Sequence, residues 1–268
     1  MSLNKVSVKV GQNPHTAAEV ASFYEAEIPK IFGGDQERNW ISACFTPKYK
    51  TDRLRTSLTH FFGEKTLRDV CTDVCVTAVT LQNAKPRFYK SDYKERNLAR
   101  VDEKLVEVAI ATSAAPSYFE SHTMSHSTNL VDGGICANNP ALVGLVESCQ
   151  FERPSKKGTT RVVNFGDDLV MLSIGTGEQP AMPYDATRLG TGGWMNWARP
   201  ITEILFESQA QIVDSQAQFL LGSRYFRVNP RLRFPMKLDD TEKLNELKNL
   251  ADLTGDLEQF LARHFGES

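Results

Sequence analysis

The stretch ATSAAPSYFESHTMSHSTNLVDGGICANNP, Ala111 to Pro140, decides how this chain is read. It opens as the end of a helix closed by Pro116, because the residue before a proline is biased out of the helical region. A loop follows, then a short strand through Asn129 to Val131, with Asp132 at its exit and Gly133 and Gly134 directly after. Two glycines behind a strand-end carboxylate permit a tight turn and the close approach of another backbone. In an open α/β sheet the carboxyl end of a strand is where the chemistry is placed. Asp132 is therefore the candidate catalytic residue and Gly133-Gly134 its turn. The plain alternative is a turn and nothing more, since Asp-Gly is a common turn former.

Upstream of this stretch, Glu103 to Ala114 is read as a helix, and Lys85 to Arg100 as a polar surface connection. Val74 to Leu81, rich in Val and Thr, reads as a largely buried strand. Asp52 to Phe62 carries Leu54, Leu58, Phe61 and Phe62 on one side and stops at Gly63, a usual helix terminator. Thr16-Ala17-Ala18-Glu19 has the form of a capping box, and Val20, Phe23, Tyr24, Ile28 and Ile31 share one helical face. Pro29 is expected to kink or shorten that helix. Val6, Val8 and Val10 alternate as in a short strand, and Gly33-Gly34-Asp35 marks a loop.

Downstream, Asn138-Asn139-Pro140 reads as a cap leading into a helix over Ala141 to Gln150. Lys156 to Asp168 is a polar excursion. Leu169 to Ile174 is a short apolar strand of a parallel sheet ending in Gly175-Thr176-Gly177. Pro180 and Pro183 follow that turn where a phosphate-binding helix would have to begin, so a loop beside the active site is expected. Ile201 to Leu221 is a helix burying Ile204, Leu205, Ile212, Val213 and Phe219, and Thr241 to Phe265 is a last amphipathic helix.

Other chemistry-bearing residues are less promising. Ser113 has small neighbours, but a nucleophile elbow needs a strand before the serine and a helix after it, and here the helix comes first. His122 and His126 are four apart, yet a catalytic zinc site takes three protein ligands, so both read as loop histidines. A Ser-His-Asp triad through His122 and Asp132 lacks a serine elbow. The cysteines Cys44, Cys71, Cys75, Cys136 and Cys149 are odd in number and scattered, which argues against a disulfide framework. Cys71 and Cys75 read as small buried side chains. Trp194 and Trp197 suit either a membrane-surface contact or packing under a loop.

Length and composition bound the class. The 268 residues suit one large α/β domain. Hydrophobic residues make up 41% and charged residues 24%, which removes disordered and fibrous classes. A net charge of −2 gives no footprint for nucleic acid. No apolar run approaches the roughly 20 residues needed to cross a bilayer, and the N-terminus lacks a signal-peptide core. Cytoplasmic localisation, with peripheral membrane contact through the tryptophans, is the expectation.

In order, AxSAAPxYFxxH, VDGGxxANNPA and LSIGTG (Leu172 to Gly177) resemble the patatin-like phospholipase family. AAEVASFYEAEIPKIF (Ala17 to Phe32), FGEKTLRDV (Phe62 to Val70) with VCVTAVTL (Val74 to Leu81), YFRVNPRL (Tyr225 to Leu232) and LDDTEKLNELKNLA (Leu238 to Ala251) extend the resemblance over most of the chain. It implies a three-layer α/β/α sandwich over residues 1–268. It also implies lipid acyl hydrolase activity through a Ser-Asp dyad, in which Asp132 matches the base and Gly133 and Gly134 the glycine turn. The implied substrate is a glycerolipid or phospholipid, and the implied chemistry requires no metal or cofactor.

The family also carries a glycine-rich oxyanion loop, G-G-G-x-R/K-G, and a G-x-S-x-G nucleophile elbow. Neither motif occurs in this sequence, and fifteen residues precede the first matching helix. The expectation is an N-terminally incomplete fold, without its first strand, oxyanion loop, and nucleophile strand and helix. Such a chain is inactive as it stands. The alternatives are a pseudoenzyme binding lipid or protein, and a half-site completed in trans. Sheet strands left unpaired would favour self-association.

Overall fold

The Thr16 hydroxyl accepts the Glu19 backbone N–H at 3.2 Å and the Glu19 carboxylate accepts the Thr16 N–H at 2.6 Å, so the expected capping box starts α1, Ala17–Phe32. The geometry is that of a computed structural model, which describes residues 15–33, 46–91, 102–149, 152–154, 160–162, 169–180, 185–197, 200–250 and 255–266. The strand expected at Val6 to Val10 and the loop residues Gly34 and Asp35 lie outside the described residues. Both hydrogen bonds of the box satisfy N–H groups that a helix start leaves unpaired. Thr16→Ala is expected to cost about 1 kcal/mol, a fall of ~2–4 °C in thermal midpoint, measurable by calorimetry.

Pro29, expected to kink or shorten α1, lies within its last turn; the helix runs on to Phe32 and closes at Gly33, whose N–H donates to the Pro29 carbonyl at 2.7 Å. A proline in the last turn removes a single internal hydrogen bond, which the rest of the helix tolerates. The next helix, α2 (Thr51–Phe62), buries Leu54 and stops at Gly63 with φ 60°, a left-handed angle that costs glycine little.

The described residues fall into two compact units, Met1–Cys136 and Ala137–Ser268. In the first, β1 (Cys75–Thr80), β2 (Lys85–Lys90), β3 (His122–Met124) and β4 (Ser127–Asp132) form one sheet in the order β2-β1-β4-β3, antiparallel throughout. Between β2 and β3 the chain forms α3, Leu105–Ser113. Leu67, Ala78, Tyr89, Val108, Ala111, Met124 and Leu130 make the core between this helix and the sheet. Opposite Ala78 stand Asp132 on one side and Arg87 on the other.

Three expectations are corrected here. The start of the supposed surface connection, Lys85 to Lys90, is the edge strand β2, where Pro86 is tolerated because an edge strand has backbone groups outside the ladder. His122 is not a loop residue but a buried member of β3. Cys71 is exposed and Cys75 half-buried, because only the second half of β1, Ala78 to Thr80, lies under cover. Residues 92–100 of the supposed connection lie outside the described set.

The helical turn α4 (Gly134–Ala137) spans the division between the units, and the second unit begins with α5, Ala141–Ser148. Strands β5 (Glu152–Pro154) and β6 (Thr160–Val162) pair antiparallel, so part of the supposed polar excursion is a strand. As expected for Leu169 to Ile174, β7 (Met171–Ile174) is parallel to a later strand. The short helices α6 (Ala186–Gly190) and α7 (Trp194–Trp197) lead to the 22-residue α8 (Pro200–Leu221) and then to β8 (Tyr225–Val228), the partner of β7. Ala141, Leu145, Leu169, Ala217, Leu221 and Tyr225 form this unit's core.

Of the residues expected to face inward on helix α8, Ile204 is half-buried and Val213 packs against the core, but the others are not covered. Ala210, Ala217 and Leu221 are buried, whereas Leu205 and Ile212 are each 59% exposed and Phe219 is 90% exposed. The helix carries apolar residues on two faces, and the one lined with alanine approaches its neighbours most closely. The expected single helix over Thr241 to Phe265 is two, α9 (Leu244–Leu250) and α10 (Gly255–Phe265), with 251–254 outside the described residues.

Candidate active site

Asp132 is the last residue of β4, and its backbone is held from two directions. Its N–H donates to the carbonyl of Ala114 at 3.0 Å, just past the end of α3, and across the sheet it is registered with Ala78 of β1. The small residues Ala111 and Ala114 are fully buried, so the end of α3 comes close enough for that bond. The Thr112 hydroxyl donates to the Thr77 carbonyl at 2.7 Å and ties the same helix end to β1. The small residues around Ser113 thus let this helix end pack close beside Asp132.

The carboxylate is fixed by its own turn: Oδ1 accepts the Gly134 N–H at 2.7 Å. Burial raises the pKa of Asp132 above its ordinary value, and the Gly134 N–H opposes this by favouring the charged form. Gly133 is obligatory for steric reasons. A β-carbon there would lie 2.2 Å from both the carbonyl oxygen and Oγ1 of Thr77. The turn then closes on the Gly133 carbonyl, which accepts the Cys136 N–H at 3.1 Å and its thiol at 3.3 Å. Asp132, Gly133 and Gly134 thus form one rigid feature.

His122 does not serve this carboxylate. Its Nε2 lies 2.7 Å from Oε2 of Glu107, and Arg55 grips the same carboxylate with both terminal nitrogens. The network joins α2, α3 and β3, and β3 is registered onto β4 through His122 opposite Leu130. Sequence reading missed Arg55 and Glu107. The one available signal was Glu107, the single charge in the otherwise apolar helix LVEVAIATS.

Arg55 holds the Glu107 carboxyl below its usual range, and burial lowers the basicity of His122. Both shifts have the same sign in their effect on pH stability. A depressed His stays neutral in the folded chain while the unfolded chain protonates, so stability falls as pH drops below the ordinary histidine value of about 6.5. A depressed carboxylate adds a further loss as pH drops below about 4.3. The thermal midpoint is therefore expected to fall between pH 7 and pH 5, and by less in His122→Asn. Parallel midpoints for the two proteins across that range would rule this out.

The Gly175-Thr176-Gly177 turn belongs to the second unit. The Gly175 N–H donates to Val228 at 2.8 Å, and the Gly177 N–H to Oδ1 of Asn229 at 2.9 Å, with Gly177 at φ 103°. Asn139 caps α5, its Oδ1 accepting the Ala141 N–H at 3.1 Å, and its amide donates to the Ala210 carbonyl of α8 at 3.2 Å. Asn138 bonds instead to Gln209 and Phe206 of α8. Ser113 ends a helix and has no strand before it. Among the described residues no group of three His, Cys, Asp or Glu is placed to hold a metal ion, and no helix is long and apolar enough to cross a membrane.

The strand-end Asp on its Gly-Gly turn lies in a segment that is similar to known proteins. Residues 23–145, which include the whole Asp132 turn, match the model of the family described as patatin-like phospholipase. The chain is 29% identical to Patatin-like protein 4 of Arabidopsis thaliana over 90% of its own length and 66% of that protein's. It is also 29% identical to Patatin-like protein 2 of the same plant, over 87% of the chain and 61% of the relative. With the cGAMP-activated phospholipase of Pseudomonas aeruginosa it shares 27% identity over 80% of the chain and 62% of the relative. The chain is similar to patatin-like phospholipases over these segments and spans about three fifths to two thirds of these relatives.

Proposed function

We infer that Asp132 is the general base of a lipid acyl hydrolase, acting on a serine nucleophile that these 268 residues do not supply in a G-x-S-x-G elbow. The observation that carries this is the fixed carboxylate: a half-buried Asp at a strand end, with one oxygen on the Gly134 N–H, inside the segment that matches the family model. In the reaction the Asp132 carboxylate takes the serine proton as the hydroxyl oxygen attacks the ester carbonyl of a glycerolipid. Backbone N–H groups of a glycine-rich loop hold the developing oxyanion, a contribution of about 3–4 kcal/mol per donor in comparable sites. Asp132 returns that proton to the leaving alcohol as the acyl-serine ester forms, then takes a proton from the water that attacks this ester and passes it to the serine oxygen as the fatty acid is released. A raised pKa suits Asp132 to this, since a base works best when its pKa is near the working pH. The substrate class is a phospholipid or other glycerolipid ester, met at a membrane surface.

A second reading is supported by the sequence as it stands: without the two motifs, the 268-residue chain is a lipid- or protein-binding module, or a half-site completed by another chain. The two readings part in one experiment. The protein is isolated from its own cells, its intact mass is measured, and it is treated with a fluorophosphonate probe. Labelling of a serine in a product heavier than the 268-residue chain supports the hydrolase reading. A product of 268 residues that takes no label sinks it in favour of binding.

A further inference from the structure

Leu205, Ser208, Ile212, Ser215 and Phe219 of α8 are all exposed, and their spacing alternates three and four without a break. Such spacing is the a and d seam of a heptad repeat, and it runs along a face separate from that of the buried Ala210, Ala217 and Leu221. Every a position is large and apolar, and every d position is serine. The next d position is Gly222, immediately beyond the helix end.

We propose that this seam pairs antiparallel with the same seam of a second copy of the chain. In that orientation each a residue faces a d residue. Ile212 covers Ser215 of the second copy, Phe219 covers its Ser208, and Leu205 covers its Gly222. One two-fold axis passing between positions 213 and 214 produces all three matches at once, as an isologous contact requires. A parallel pair would stack Phe219 on Phe219 and serine on serine, crowding some layers and leaving voids in others.

The flanks agree with self-pairing. The e and g positions beside the seam include Gln209, Gln211, Gln216 and Gln218, where interhelical charges usually select a partner. Uncharged flanks carry no like-charge repulsion between identical chains. The acidic residues Glu203, Glu207 and Asp214 fall at b, c or f positions off the seam. Ser208 keeps a hydrogen-bond partner when covered, because its hydroxyl already donates to the Leu205 carbonyl at 3.2 Å. A lipid surface is the poorer occupant: interfacial helices carry Lys and Arg on their polar face, and α8 has neither. The seam from Leu205 to Phe219 is only about 21 Å long at 1.5 Å per residue, so the pair buries less than the roughly 1,200 Å² of a standard interface. The dimer is accordingly a weak one.

Sedimentation velocity of the 268-residue chain from about 1 to 200 µM tests this, across the range where weak interfaces dissociate. Wild type is expected to move from monomer to dimer over that range. Ile212→Glu, Phe219→Glu and Ser208→Lys each weaken association at least ~10-fold, with unchanged circular dichroism because all three positions are exposed. The double variant Ser208→Lys/Phe219→Glu recovers association, since the new charges face each other only in the antiparallel pair. A monomer at the top concentration, association indifferent to Ile212→Glu, or a double variant weaker than either single overturns the proposal. Flotation with phosphatidylcholine and phosphatidylserine vesicles that is lost in Ile212→Glu while wild type stays monomeric overturns it too, and gives the face to lipid.

Discussion

Asp132→Asn is expected to lower ester hydrolysis by the nucleophile-bearing protein about 10²- to 10⁴-fold, the range for loss of a positioned general base. The change should fall on kcat more than on KM. The asparagine Oδ1 still accepts the Gly134 N–H, so the turn survives while the proton acceptor is lost. The same substitution is expected to raise the stability of the 268-residue chain at neutral pH. The folded-state pKa of Asp132 is raised, so its contribution to stability is full below the unfolded value of about 3.9 and is lost as pH rises through the folded value. At pH 7 the folded chain holds a partly desolvated charge that the unfolded chain would hydrate, and replacing it with a neutral amide removes that penalty. Melting curves at pH 7 and pH 4 should show the variant ahead at the first and level at the second. Unimpaired turnover, or a variant less stable than wild type at pH 7, would show that the carboxylate has another role.

Gly133→Ala carries the largest expected loss of stability, about 3 kcal/mol, at the upper end of the costs of forcing atoms into a packed site. The added β-carbon would meet the Thr77 carbonyl and hydroxyl at 2.2 Å. A backbone oxygen within β1 cannot rotate away, so either β1 and β4 separate or the turn shifts. Either shift displaces Asp132, and a misplacement of about 1 Å in a catalytic group costs on the order of 10²-fold in rate. Urea titration of the variant beside Gly144→Ala gives the contrast. Gly144 lies within α5 with nothing near its β-position, so alanine there should be neutral or stabilising by about 0.5–1 kcal/mol through helix propensity. Equal urea midpoints for the two variants would contradict the steric account of the turn.

The elements that were legible share a local cause. The capping box of Thr16 and Glu19, the stop at Gly63, the strand ending in Asp132 and the parallel strand over Met171 to Ile174 are each specified within a few residues by hydrogen-bonding side chains, glycine or β-branched runs. Strand β2 was missed because KPRFYK is polar and holds a proline, which an edge position accepts and a central one does not. His122 was misplaced because three residues are too short to show alternation, and its partner Glu107 lies fifteen residues away.

By itself the sequence determined the resemblance to patatin-like phospholipases, the candidate base and the glycine turn that carries it, because these reside in one contiguous motif whose chemistry depends on residue type and order. Tertiary structure alone decided which groups meet across long separations. It made Gly133 obligatory by setting Thr77 against it, bound His122 to Glu107 and Arg55 rather than to Asp132, and turned the alanines of α8 inward and its Leu205, Ile212 and Phe219 outward. Periodicity reports that a helix has an apolar face, but when two faces qualify the choice rests on the shape of what packs against it.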